Sequence, residues 1–262
     1  MRITKDMLDQ TIARNKEIKN EVELIVNLVY TRYKTVNILS SEKQALQILK
    51  DHHLIQLPIS DENWGGAIRK LPNSKKIFVI NTAQPRVYQY FIYWHEIYHL
   101  IVDFEGASSH LISVEFDIRE RAADYFASQM LLGSDVYDYF YKLDKTLDFL
   151  KKTMHCMDMF KAPYKAILIQ LYESAFEKEN HQLMKEIKEN FDVKFSRDTF
   201  VQLFKELALD ITLVQPSNII DFGGLKSRIE EKRKEDDSVN MYNEHLDFVN
   251  KFKEILEAKV SD

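Results

Sequence analysis

Two histidines stand four residues apart in a segment that is otherwise apolar and aromatic. His95 and His99 belong to the pattern H-E-x-x-H, in which Glu96 follows the first histidine. If this segment is a helix, both imidazoles project from one face and can reach one metal ion. Glu96 is offset by about 100° around the helix axis, where it can address a metal-bound water without being a ligand. The alternative is a pair of ordinary half-buried histidines.

A catalytic zinc ion needs three protein ligands and an open fourth position. Downstream of the motif, Glu120 and Asp124 are four residues apart, share a helix face and stand among small residues. A glutamate can supply the third ligand, and an aspartate one turn later can accept the free ring N–H of a ligand histidine and fix its tautomer. The sequence therefore predicts a gluzincin-like site of His95, His99 and Glu120, one Zn²⁺ per chain, with Asp124 behind a histidine. The alternative for Glu120 is a surface glutamate paired with a neighbouring arginine.

Such a site would make the chain a zinc metallopeptidase. The metal would acidify a water and polarise a peptide carbonyl, and Glu96 would move the water's proton to the leaving amine. An oxyanion also needs a hydrogen-bond donor, and the candidates are Tyr93, Tyr98 and His110. Any one of these side chains could equally be a packing residue.

Other residues that could bind a metal lack a partner at ligand spacing. His155 stands beside the single cysteine, Cys156, but no further ligand is near in the sequence. We interpret this pair as packing residues, together with His52, His53 and His181.

The composition limits the classes of function. The 262 residues are 45% hydrophobic, enough for a sizeable core, and the net charge of −5 comes from basic and acidic residues that are intermixed. No basic field suited to nucleic acid results, so we expect no direct contact with it. One cysteine permits no intramolecular disulfide and favours a reducing compartment. The charged N-terminus is unlike a signal peptide and no apolar stretch is long enough for a membrane span, so we expect a cytoplasmic protein.

The elements that must position the motif are mostly helices. Six glycines and five prolines are few for an all-β fold. We predict a predominantly helical α+β fold with a small antiparallel sheet of about three strands packed on the H-E-x-x-H helices, followed by a helical C-terminal region. The predicted strands are 54–58, 66–71 and 76–81, and the last two form a hairpin across residues 72–75. The predicted helices include one or two over residues 5–34, and one each over 86–102, 116–132 and 239–258.

Local patterns add detail to these helices. Ser41 followed by Gln44 resembles a capping box that starts a short helix. In the helix with the motif, Trp94 and Tyr98 lie on a stripe at core spacing, so they are predicted to pack rather than to bind substrate. The domain organisation expected is an N-terminal helical segment (1–40), a zincin-like core (41–176) and a C-terminal helical region (177–262) for recognition or regulation.

The motifs together resemble those of the ImmA/IrrE family of zinc metallopeptidases. The resemblance covers about residues 42 to 175, and the motifs are specific as a set. The matching features are Phe91 and Trp94 before His95-Glu96-Ile97-Tyr98-His99, the strand Ile77-Phe78-Val79-Ile80-Asn81, Glu120-x-x-Ala123-Asp124-x-Phe126-Ala127, and Leu131-Leu132. Departures are Tyr98 where the family commonly has Gly, Asp124 where it commonly has Asn, and Gly133-Ser134 where Pro is frequent. None of these departures removes a ligand.

The resemblance implies a narrow substrate. Family members cleave, or trigger cleavage of, helix-turn-helix transcriptional repressors in mobile-element or stress-response switches. The implied function is therefore hydrolysis of a peptide bond in a DNA-binding regulator. Two alternatives remain at this point: a metal-containing regulator that binds a repressor without proteolysis, and a structural helical protein without a metal. The oligomeric state is left open.

Overall fold

The computed structural model describes residues 3–33, 39–61, 63–71, 75–102, 118–235 and 241–261. In these residues the chain forms eleven α-helices and three strands, so the predicted class, α+β and predominantly helical, is confirmed. The helices are α1 Leu8–Arg32, α2 Ser41–Asp51, α3 Arg86–Val102, α4 Ile118–Leu132, α5 Val136–Lys142, α6 Phe149–Phe160, α7 Tyr164–Glu177, α8 His181–Asn190, α9 Arg197–Glu206, α10 Leu225–Glu235 and α11 Met241–Ser261. The strands are β1 His53–Leu57, β2 Gly66–Lys70 and β3 Lys76–Asn81, and 3₁₀-helices span Lys5–Met7 and Ile211–Val214.

The three strands form one sheet in the order β1-β3-β2. β2 and β3 are antiparallel, as the predicted hairpin requires, although residues 72–74 of its connection lie outside the described residues. β1, in contrast, runs parallel to β3, so the sheet is mixed and our expectation of an antiparallel arrangement is wrong for this strand. The reason is that the connection after β1 takes the chain past β3 to the far edge of the sheet, which leaves the central place for β3.

One buried side chain holds that connection. Asn81, at the end of β3, is fully buried. Its Oδ1 accepts hydrogen bonds from the backbone N–H groups of Ile59 and Ala83, both at 3.0 Å. Its Nδ2 donates to the backbone oxygens of Asp61 at 3.1 Å and Trp64 at 2.8 Å. Because backbone groups leaving the sheet need new partners, these four bonds let the loop cross over the end of β3.

The helix with the H-E-x-x-H motif lies at the centre of the fold. α3 contacts α2, α4, β2 and β3, and α1 lies across α4. The predicted core stripe of α3 is confirmed: Trp94 and Tyr98 are at most 1% exposed. On α4 the small side chains of Ala122, Ala123 and Ala127 are buried, which allows the two helices to approach closely. This close pair positions the two halves of the predicted site.

Ser41 has a different role from the one we predicted. α2 begins at Ser41, and its N-cap residue Ser40 makes no side-chain capping bond, so the capping box is wrong. Instead the Ser41 hydroxyl donates to the backbone oxygen of Met130 at 2.6 Å and accepts from the Trp94 indole N–H at 2.9 Å. These two bonds join α2 to α3 and α4 through the hydroxyl oxygen of Ser41.

The C-terminal region covers the free edge of β1. The backbones of Gln56 and Asp221 exchange two hydrogen bonds, of 2.7 and 2.8 Å, in an antiparallel bridge. Two residues later, Gly223 has a φ of +60°, and a Cβ there would lie 2.1 Å from the backbone oxygen of Leu54. The predicted stripe of α11 is buried at Leu246, Val249 and Leu256. None of the helices in the described parts of the chain combines the length and the apolar character that a membrane crossing needs.

Candidate metal centre

The two motif histidines project together from α3. His95 and His99 are one turn apart, and their Nε2 atoms lie 3.2 Å from each other. Both belong to the helix face turned towards α4, and the side chain of His99 is only 2% exposed. Two imidazole nitrogens this close repel each other when both are charged, and both have lone pairs facing the same point when neutral. The arrangement therefore favours a cation, or a shared proton, between them.

α4 adds a carboxylate to the histidine pair. Glu120 Oε2 lies 3.3 Å from His95 Nε2, and Glu120 Oε1 lies 3.3 Å from His99 Nε2. Zinc bonds of about 2.0–2.1 Å at tetrahedral angles place neighbouring ligand atoms about 3.3 Å apart. Each of the three separations is close to this value, with the two histidines facing different oxygens of Glu120. In the described residues, His95, His99 and Glu120 are the one group of three potential ligands close enough to hold a metal ion.

Asp124 orients the first histidine, as the sequence predicts. Its Oδ1 accepts a hydrogen bond from His95 Nδ1 at 3.0 Å. Because this bond places the ring proton on Nδ1, the lone pair of His95 is on Nε2, the atom that faces Glu120 and His99. A carboxylate behind a ligand histidine also increases its basicity. Asp124 therefore prepares His95 to bind a metal.

Glu96 is a buried carboxylate next to the ligands. It is 4% exposed. Its negative charge is close enough to raise the pKa of both His95 and His99. Burial of a carboxylate is costly unless it has a function or a compensating charge. A cation between the histidines would compensate it.

The electrostatics of the metal-free site favour protonated histidines. Burial alone would lower the pKa of His95, but hydrogen bonds to Asp124 and Glu120 raise it well above 6.5. Burial also opposes the protonation of His99, and the Glu120 hydrogen bond again raises its pKa. For Glu120, burial acts to raise the pKa, but hydrogen bonds from the two histidines lower it strongly. Protons thus supply the positive charge that a metal ion would supply.

Two of the three predicted oxyanion donors, Tyr93 and Tyr98, are buried. Tyr93 is 3% exposed, its hydroxyl accepts a hydrogen bond from Gln56 Nε2 at 3.0 Å, and burial raises its pKa. Tyr98 is 1% exposed, with its ring 5.7 Å from that of Phe126. Both are therefore core residues, as the alternative held. His110 lies outside the described residues.

A polar network that we did not predict anchors α4. Arg121, next to the ligand Glu120, donates from Nε and Nη2 to Asn15 Oδ1 at 2.8 and 2.7 Å. Asn15 is fully buried and donates to Glu173 Oε2 at 3.0 Å, and the Tyr125 hydroxyl donates to Glu173 Oε1 at 3.2 Å. The network ties α1 and α7 to α4. Its one trace in the sequence is a polar residue, Asn15, on the buried side of α1.

Cys156 and His52 are not part of this group of potential ligands. Cys156 is fully buried, and burial raises the pKa of its thiol to about 12, which makes it unreactive. The His52 ring packs edge-on against Phe78 at 5.9 Å. These observations agree with the interpretation of Cys156 and His52 as packing residues, whereas His181 is exposed, so that interpretation is wrong for it.

Comparison of the chain with protein-family models, with curated proteins and with solved structures found no match.

Proposed function

We propose that the protein is a zinc-dependent endopeptidase that hydrolyses a peptide bond in a protein substrate. The observation that supports this most is the convergence of three potential ligands: His95 Nε2 and His99 Nε2 lie 3.2 Å apart, and each lies 3.3 Å from one of the two carboxylate oxygens of Glu120. Three ligands at the vertices of a zinc tetrahedron leave the fourth position for water or substrate.

We assign zinc rather than iron because of the carboxylate of Glu96, which lies next to a ligand. Two imidazoles and one carboxylate also suit non-haem iron. Glu96, however, is a buried base one position from a ligand, which hydrolysis of a peptide needs and an iron oxygenase does not. We therefore assign one Zn²⁺ per chain, held by His95, His99 and Glu120.

The chain's own residues supply the acid–base chemistry. When bound, zinc lowers the pKa of a water and polarises the scissile carbonyl. Glu96 accepts a proton from the attacking water and returns it to the leaving amine. Asp124 keeps the proton of His95 on Nδ1 throughout, so the ring stays oriented as a ligand.

An extended peptide has a place beside this site. β2 is an edge strand, since it pairs with β3 on one side in the described sheet, and it contacts α3. An edge strand can bind an extended peptide by backbone hydrogen bonds. The resemblance to ImmA/IrrE peptidases suggests that the peptide belongs to a helix-turn-helix repressor.

The experiment is co-expression with the DNA-binding regulator encoded beside its gene. We expect the wild-type chain to shorten the regulator and Glu96→Gln to slow this at least about 10²-fold while zinc remains bound, because the base is lost and the ligands are kept. The matched control is Glu42→Gln, because Glu42 is also a buried glutamate, with 7% of its surface exposed. This variant should cleave normally. Cleavage by Glu96→Gln would contradict the mechanism. A regulator that is bound but never shortened would favour the non-proteolytic alternative.

A further inference from the structure

A cleft of about 660 Å³ lies between the start of α3 and the C-terminal helical region. Its walls are the β1–β2 connection with Ile59, the α3 residues Tyr88 and Ile92, and Phe195 and Phe200 at the beginning of α9. We call it the α3–α9 cleft. Its volume is within the range of about 300–1,000 Å³ that small-ligand sites occupy.

The cleft lies on the same face of α3 as the metal ligands. Tyr88, Ile92, His95 and His99 have the spacing i, i+4, i+7 and i+11, which forms one stripe along a helix. Ile92 is three residues before His95, about 4.5 Å along the axis. An extended peptide advances about 3.3 Å per residue. The cleft therefore begins one or two residues from a bond held at the metal.

The beginning of the edge strand β2 also lies next to Ile92. A Cβ at Gly65 would lie 2.7 Å from Ile92 Cδ1, and one at Gly66 would lie 2.8 Å from Ile92 Cγ2. The glycine pair before β2 thus permits the strand to lie directly against Ile92. A peptide paired with β2 would pass the mouth of the cleft.

The C-terminal wall is held in place by its own contacts. The rings of Phe195 and Phe200 are 5.1 Å apart, and that of Tyr164 is 5.3 Å from Phe195. Arg86, the first residue of α3, donates from its backbone N–H to the oxygen of Gln215 at 3.0 Å. The cleft is therefore formed before a ligand arrives, which reduces the entropic cost of binding.

Apolar and aromatic side chains form the larger part of the lining and include Met157 and Val214, which are 1% and 2% exposed. The polar part consists of Ser60, Asn63, Asn81, Gln84 and Arg197. Arg197 is the one formally charged side chain among the described lining residues, and it is exposed at the rim. An apolar side chain would gain about 25 cal/mol for each Å² it buries here, whereas a Lys or Arg would meet a like charge.

We propose that the α3–α9 cleft binds a large apolar side chain of the peptide substrate, one or two residues from the scissile bond. This inference rests on the proposed function, and it gives residues 195–214 of the C-terminal region a role in selecting substrate.

The test uses a random decapeptide mixture and the full chain. In one arm, products of the zinc-loaded wild type are sequenced; in the other, peptides retained by immobilised, zinc-loaded Glu96→Gln are sequenced. Ala83 lines the cleft, so Ala83→Phe should fill it. Ala258→Phe, on the exposed side of α11, is the matched control. We expect wild type and control to prefer Phe, Leu, Met or Trp over Ala at one position by about tenfold or more, and Ala83→Phe to lose that preference.

The two arms separate the two proposals. Cleavage without a side-chain preference, or a preference unchanged in Ala83→Phe, overturns the cleft proposal and leaves the peptidase intact. If no decapeptide is cleaved, the retained peptides decide the cleft alone, and the co-expression experiment decides the proposed function. The cleft proposal is supported if the retained peptides are rich in large apolar residues and if Ala83→Phe abolishes this retention. It is overturned if no such peptides are retained.

Discussion

His95 and His99 lie on the same face of α3, yet their side chains have different neighbours. His95 has Asp124 on Nδ1 and Glu120 beyond Nε2, whereas His99 is nearly enclosed, with 2% of its side chain exposed. Their relative position follows from the helix period alone, which is why the sequence predicts it. The same period places Tyr93 about 200° from His95, so that oxyanion candidate could have been excluded from the sequence.

Zinc affinity should fall as the pH falls. Both ligand histidines must lose their protons to bind a metal, and their pKa values in the metal-free chain are raised above 6.5. Glu120 stays ionised over the same range because its pKa is lowered. We expect the logarithm of the affinity to rise with pH beyond 6.5, because metal binding displaces protons from the histidines. Chelator competition between pH 5.5 and 8.5 measures this. Affinity that is constant above pH 6.5 would contradict the assigned ligands.

At the scale of elements, α4 is positioned by contacts far apart in the chain. Asn15 and Glu173 are separated by 158 residues, and Asn15 also accepts from Arg121 beside the ligand Glu120. The sequence indicates that α3 and α4 pack, because their apolar and small residues have helical spacing. It does not indicate which buried polar groups meet, since that depends on how α1 and α7 are placed. The parallel pairing of β1 with β3 has the same origin, because strand order is not a local property.

Removal of Asn15 should destabilise the fold. Asn15→Ala leaves Arg121 and the buried Glu173 without this shared partner, so we expect a loss of about 3 kcal/mol in the free energy of unfolding. Urea denaturation of the metal-free chain measures it. Asn20→Ala, on the exposed side of the same helix, should change stability by less than about 0.5 kcal/mol. Equal effects of the two substitutions would show that the network is unimportant.

At the scale of the molecule, the C-terminal region completes the core in two places. It pairs with the edge of β1 through Asp221, and its residues 195–214 form one wall of the α3–α9 cleft. The sequence predicts its helices but not these contacts, because helix periodicity does not specify which surface a helix covers. The domain boundary that we drew after residue 176 stays a prediction.

Gly223 should be essential for this docking. Gly223→Ala would place a Cβ 2.1 Å from a backbone oxygen, which cannot move without breaking β1. Gly224→Ala, at φ +75° with open space around it, should cost only about 1 kcal/mol. We expect faster hydrogen exchange at the backbone N–H groups of Gln56 and Asp221 in Gly223→Ala alone. Unchanged exchange there would show that the segment is not held by this contact.

The central claim is that His95, His99 and Glu120 hold one zinc ion. The most direct measurement is the metal content, by mass spectrometry, of the chain purified after exposure to zinc, beside a folded His99→Ala variant. The geometry predicts about one zinc per wild-type chain and little in the variant, because a site with two ligands does not hold zinc through purification. A folded wild-type chain without zinc, or a variant that keeps it, would contradict the account.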